Sequence, residues 1–227
     1  MAKEIDPSIV EKEVGSKVTD ENDGDNRCGS TGLIYEFENG EEWLVFPDYD
    51  DAEYAATECV KDDIDDDPSM FSQDWLNGFI YVSDTDRRII AGEESSNRVE
   101  DNEDDDMILD ADMQEELDEL QEKLDDDKIT DEEFDNKKEK LVDKAKEEIE
   151  EKIYDEWYSG LEYPVDFLVE EQGIYSVEDL LKQSFISIDT DKAAEDAIST
   201  DGAAHFLSGY DGNQVDLDNG NVMFRIN

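Results

Sequence analysis

Between residues 32 and 46 apolar and polar positions alternate. Leu33, Tyr35 and Phe37 share one face, Asn39-Gly40 follows, and Trp43, Val45 and Phe46 come next. Asn-Gly between two apolar runs predicts a β-hairpin. From Asp48 to Asp67 the period changes. Ala52, Ala55, Ala56, Cys59, Val60 and Ile64 recur at helical spacing, Asp48 or Asp50 can cap the start, and Pro68 forbids continuation. Residues 69–82 carry Phe71, Trp75, Leu76, Phe79, Ile80 and Tyr81, which predict a short helix leading into a strand. Ser83-Asp84-Thr85-Asp86 then caps a helix over 87–99, with Ile89, Ile90 and Ala91 facing inward.

Farther on, Met113, Leu117, Leu120 and Leu124 step by four, three and four, which marks one apolar helical stripe, and Asp125-Asp126-Asp127 breaks it. Thr130 and Glu133 form a capping box for a second helix, from Asp131 to about Tyr158, with Phe134, Leu141, Ala145, Ile149, Ile153 and Trp157 as its stripe. Two such helices joined by a short turn predict an antiparallel helical hairpin. Beyond Gly160, Pro164 can start a short helix, Ser176 another, and Asp189 or Thr190 a third through Ala193, Ala194, Ala197 and Ile198; residues 185–188 read as extended. Val215 and Leu217, the turn Asp218-Asn219-Gly220, then Val222, Phe224 and Ile226 predict a closing hairpin.

The expected fold class is α+β: a small antiparallel sheet built from the N- and C-terminal hairpins, packed with helices, and a projecting antiparallel helical hairpin. Residues 1–31, polar and without a sustained period, read as a flexible acidic arm. Residues 32–99 form an α+β region, 100–160 the acidic helical hairpin, and 161–227 an α+β region that completes the core.

Composition changes this picture in one respect. The 227 residues carry 69 Asp and Glu against 19 Lys and Arg, a formal net charge of -50. Apolar residues at 37% and charged residues at 39% lean toward disorder, but 3 Trp, 9 Tyr and 9 Phe concentrate in the apolar stretches and can form cores. A charge this large costs stability through self-repulsion, so it needs a use. A cationic partner, a nucleic-acid-binding protein to be deceived, multivalent cations and a salty solvent are the candidates. Lys outnumbers Arg, and Ile and Asn are common, a balance that argues against salt adaptation alone.

Other chemistry is sparse. No run approaches the roughly 20 apolar residues of a membrane span, the start of the chain lacks a basic-then-apolar signal pattern, and anionic membranes would repel the chain. Cys28 and Cys59 lack metal spacing, and Cys59, on the apolar side of its helix, reads as a buried thiol. Together these features predict a cytoplasmic protein. The single histidine, His205, lies in an apolar context and reads as structural. There is no nucleophile elbow, no phosphate-binding glycine loop and no zinc ligand set. Acidic clusters at 20–25, 84–86 and 216–220 alternate oxygen ligands, but none has the calcium-loop order of glycine at six and Glu at twelve. The expectation is therefore no enzyme, no cofactor and no specific metal. Arg87, Arg88 and Arg98 read as internal salt-bridge partners.

Residues 100–133 hold 19 acidic and 2 basic residues. Fully helical, they would run about 51 Å, one net charge per roughly 3 Å. A single nucleic-acid strand carries one per about 3.4 Å and a duplex one per about 1.7 Å, and carboxylates from the second helix could bring the total toward a duplex. The candidate partner-binding residues are Glu100, Asp101, Glu103, Asp104, Asp105, Asp106, Asp110, Asp112, Glu115, Glu116, Asp118, Glu119, Glu122, Asp125, Asp126 and Asp127. A rigid acidic rod can occupy the groove of a protein that binds phosphates and provoke the same counterion release. The expected partner is a basic nucleic-acid-binding protein, with no direct binding of nucleic acid or membrane. A homodimer extending the acidic surface is among the arrangements this reading allows.

Two stretches, Tyr81-Val82-Ser83-Asp84-Thr85-Asp86-Arg87-Arg88-Ile89-Ile90-Ala91 and His205-Phe206-Leu207-Ser208-Gly209-Tyr210-Asp211-Gly212, resemble segments of small uncharacterised proteins of tailed phages. The resemblance covers less than a tenth of the chain and implies a phage origin, with no activity attached. In charge alone, the chain is similar to phage inhibitors that mimic DNA and block restriction, nuclease or polymerase complexes. The alternatives are a phage structural or assembly protein, or a salt-adapted acidic protein without mimicry.

Overall fold

The computed structural model describes residues 5–23, 32–101 and 109–227. Its first element lies where a flexible arm was expected. Asp6 accepts a hydrogen bond from the Ser8 amide at 2.9 Å and caps helix α1 (Pro7–Val14), with proline at the first helical position. Strand β1 (Val18–Asp23) pairs antiparallel with β2 (Leu33–Phe37). The alternation rule missed β1 because its sequence, VTDEND, has one apolar residue. It is an edge strand held by backbone hydrogen bonds, and charge on such an edge discourages pairing with other chains.

Strand β3 (Glu42–Phe46) follows across the Asn39-Gly40 turn. Gly40 takes a φ of 84° and its amide donates to the Phe37 carbonyl at 2.8 Å. The predicted helix appears as α2 (Tyr49–Asp66), capped by Asp48 and stopped before Pro68. A 3-10 turn, the single-turn helix α3 (Gln73–Leu76) and a second 3-10 turn lead into strand β4 (Ile80–Val82), which pairs with β5 (Ile186–Ile188). Near the end come the short helix α8 (Val177–Leu180), α9 (Thr190–Asp201) capped by Asp189, α10 (Ala203–Leu207), β6 (Gln214–Asp216) and β7 (Val222–Arg225).

The two hairpins join one five-stranded antiparallel sheet of order β1-β2-β3-β7-β6, with Leu44 opposite Phe224 and Phe46 opposite Val222. Both faces are covered. Leu44, Phe46 and Phe224 pack on the small residues of α2 and α9, where Ala52, Ala55, Ala56, Ala193 and Ala194 let the helices approach closely. Tyr35, Phe37, Val45 and Met223 point the other way, onto Ile5 and Val10 of the N-terminal segment. The expected sheet is present, and the supposed arm is one of its two covering layers.

The contacts of the chain divide it into two units: residues 1–80 with 176–178 and 188–227, and residues 81–175 with 179–187. The second is helical. It contains α4 (Asp84–Asp101), α5 (Ala111–Asp125), α6 (Asp131–Gly160) and α7 (Pro164–Gln172). Ser83 Oγ accepts from the Asp86 amide at 3.1 Å, and Thr130 and Glu133 form the predicted capping box. The α5–α6 hairpin closes on Met113, Leu141 and Ala145, with Leu117 and Ile149 beside them. It is not isolated, because α4 also lies along α6. The regions 32–99 and 161–227 are thus each split between the two units, contrary to expectation. The reason is that the apolar faces of α4 and α7 are satisfied by α6: Trp157 is fully buried, edge-on to Phe167 at 5.1 Å and beneath the Arg98 guanidinium at 5.3 Å. Ile89, expected inside, is 50% exposed, whereas Ala91 is buried.

Two further expectations change. Cys59 is disulfide-bonded, not a free thiol; the chain's other cysteine, Cys28, lies outside the described residues. The acidity, though densest over 100–133, is not confined there. The sheet-containing unit holds 32 acidic against 7 basic residues and the helical unit 37 against 12, so each carries -25.

Candidate functional site

The acidic candidates follow from how α5 is held. Asp110 caps it, accepting from the Met113 amide at 2.8 Å. With Met113 and Leu120 turned inward, the intervening positions must face out. Asp110, Asp112, Glu115, Glu116, Asp118, Glu119, Glu122, Asp125, Asp126 and Asp127 are all exposed, as is Glu100 near the end of α4. Asp101 is the last residue of α4. Glu103, Asp104, Asp105 and Asp106 lie outside the described residues. Cations of the same chain engage some of the exposed carboxylates: Lys123 meets Glu119 at 3.1 Å and Lys128 meets Asp126 at 2.8 Å. Such exposed pairs are worth little, so the face remains strongly anionic.

The structure corrects the continuous rod of about 51 Å. Helix α4 ends at Asp101, α5 starts at Ala111, and the chain turns at Asp126 and Asp127, where Asp127 has a φ of 55°. Helix α5 is therefore about 22 Å long, with seven acidic residues and one lysine. That is one net charge per roughly 4 Å, close to a single phosphate strand. The approach to duplex density is not supported either. Helix α6 has six lysines, and five fall within residues 137–146, the half that packs on α5.

The arginines do serve as internal partners. Arg87 and Arg88 reach Asp84 at 3.6 and 2.9 Å, and Arg98 reaches Glu171 at 2.7 Å. The Tyr158 hydroxyl donates to Asp84 at 2.6 Å. This bond, more than the two arginines, holds the Asp84 carboxyl below its ordinary range. In two of the acidic clusters a carboxylate is already engaged by the chain itself: Asp84 by these groups and Asp218 by Lys12 at 3.2 Å. Among the described residues no group of His, Cys, Asp and Glu is arranged to hold a metal ion, and no helix is long and apolar enough to cross a membrane.

One concave site escaped the sequence reading. In the sheet-containing unit, a pocket of about 460 Å³ is lined by Phe71, Trp75 and Phe206, with Asp63, Asp196 and Asp201 around it. Phe71 and Trp75 stack at 5.4 Å and 29°, and the Trp75 indole N–H donates to Asp196 Oδ2 at 2.8 Å. His205 is on its wall, exposed and edge-on to Phe206 at 4.9 Å, not enclosed as expected of a structural histidine. The Phe71–Trp75 spacing was visible in the sequence. Asp63 comes from nearby α2, but Asp196 and Asp201 come from α9, more than 120 residues beyond Trp75, and only the packing of α9 against α2 brings them to Phe71 and Trp75. No protein-family model, no curated protein and no solved structure matches the chain.

Proposed function

We propose that this protein is an acidic inhibitor that mimics the charge of a nucleic-acid strand and occludes a basic DNA- or RNA-binding protein. One observation carries the reading. Helix α5 presents its carboxylates outward at near-phosphate spacing, from a hairpin whose apolar stripe is buried and whose turn is capped. Rigid presentation separates a mimic from a merely solvated acidic tail, because a fixed array gives up less conformational entropy on binding. The charge density favours a site that takes one strand. The phage resemblance supports a host protein as partner and the host cytoplasm as the setting. The disulfide at Cys59 is the feature least expected there, since disulfides persist mainly in oxidising compartments.

The equal charge of the two units favours a second reading, in which acidity serves solvation over the whole surface and α5 has no special role. One experiment separates the two. Host proteins retained on the immobilised chain at low salt are eluted with a salt gradient and assayed for nucleic-acid binding with and without the inhibitor. The same assay is run with Glu115→Gln, Glu116→Gln, Asp118→Asn, Glu119→Gln and Glu122→Gln combined. Mimicry predicts competition with nucleic acid that weakens at least about tenfold in the neutralised variant, a loss of 1.4 kcal/mol or more. Undiminished competition by that variant, or none by the wild type, refutes the role given to α5.

A further inference from the structure

We propose that the aromatic pocket between α3 and α9 binds an organic cation, an ammonium or guanidinium group carried on an apolar stem. This goes beyond occlusion of a nucleic-acid-binding protein and does not depend on it. The cavity, about 460 Å³, falls in the size range of small-ligand sites and holds a group as large as an arginine side chain. Its chemistry is selective in three ways.

The rings come first. Phe71, Trp75 and Phe206 line the cavity, and aromatic rings attract a cation, the more strongly as water is excluded. Trp75 is oriented in advance, because its indole N–H is bonded to Asp196. That bond uses Oδ2 and leaves Oδ1 able to accept from a ligand. The second feature is formal charge. Asp196 and Asp201 stand at the pocket, and among the described residues no lysine or arginine lines it. The third is the backbone. Asp201 is the last residue of α9, so the pocket adjoins the C-terminal turn of a 12-residue helix, where carbonyl groups carry partial negative charge that favours cations.

Other ligand classes fit less well. A metal ion would make no use of the rings, and these carboxylates do not form a metal-ligating group. A neutral apolar molecule would strip water from the carboxylates without replacing their hydrogen bonds.

The test uses N-acetyl-arginine amide and its neutral isostere N-acetyl-citrulline amide, titrated by calorimetry and by NMR of the tryptophan indole N–H groups. Salt is held at about 0.5 M, where screening to a length of about 4 Å suppresses loose condensation on a chain of this charge. The proposal predicts saturable binding of one arginine probe per chain, with a shift of the Trp75 indole signal. It also predicts at least about tenfold weaker binding of the citrulline probe. Asp201→Asn, at an exposed helix end, should keep the fold and weaken the arginine probe. Glu115→Gln with Glu116→Gln should leave it unchanged. A glycine-flanked arginine peptide distinguishes the sources: equal affinity assigns the site to a protein side chain, and exclusion assigns it to a small free organic cation, each in keeping with the proposal. Equal binding of arginine and citrulline, an unmoved Trp75 signal, or full affinity in both Asp201→Asn and Trp75→Leu overturns it.

Discussion

Tyr35→Phe tests whether the N-terminal segment covers the sheet. Tyr35 is fully buried among Ile5, Val10, Phe37, Val45, Leu217 and Met223, and its hydroxyl has no hydrogen-bond partner among the described residues. Burial, and then the carboxylates of Glu21 and Asp6, push its ionisation up to about 12. Both acids belong to residues 5–23, and Glu21 lies directly across β1–β2 from Tyr35. Removing an unpaired buried hydroxyl should stabilise the protein by about 1–3 kcal/mol near neutral pH. Alkaline pH adds a second signature. The folded state keeps the phenol proton after the unfolded chain, with an ordinary value of about 10, has lost it. Unfolding then releases a proton, so the wild type loses stability as pH rises from about 10 to about 12. At about 1.4 kcal/mol per unit, the total is on the order of 3 kcal/mol, and roughly half of it is lost by pH 11. The phenylalanine variant lacks this slope, so its advantage grows with pH. Urea unfolding followed by tryptophan fluorescence at pH 7, 9 and 11 measures it as a shift in midpoint at constant m. Destabilisation by more than about 1 kcal/mol at pH 7, or parallel curves from pH 9 to 11, would mean that the hydroxyl meets water and that residues 5–23 do not cover it.

Further predictions concern the two units and the cysteine. A methyl group at Gly209 would lie 2.4 Å from the Ile226 carbonyl oxygen, so Gly209→Ala should lower the urea midpoint by an equivalent of about 1–3 kcal/mol. Gly92→Ala, inside α4 with nothing within 4 Å, should raise it by about 0.5–1 kcal/mol. Thr130→Ala removes the capping box of α6 and should cost about 1 kcal/mol, read as lost helical circular dichroism at intermediate urea. Thiol titration of the unfolded, unreduced chain should find no free sulfhydryl; recovery of two would show Cys59 to be a thiol after all.

What the sequence determined by itself is local. The Asn39-Gly40 and Asn219-Gly220 turns, the start and stop of α2, the capping box and the apolar stripes of α5 and α6 were all legible, because each depends on residues within one or two turns of chain. The exposure of the α5 carboxylates was legible for the same reason: a helix with one buried stripe must present the rest. Tertiary structure decided what depends on distant partners. The polar strand β1 forms because β2 offers a backbone ladder, and α1 is ordered by the sheet face that it covers. Helix α4 falls in the helical unit because α6 supplies the matching apolar surface, which no period along α4 can reveal. The lysines of residues 137–146 come near α5 only because the hairpin folds their half of α6 alongside it. The aromatic pocket exists only where α9 carries its carboxylates to rings more than a hundred residues earlier in the chain.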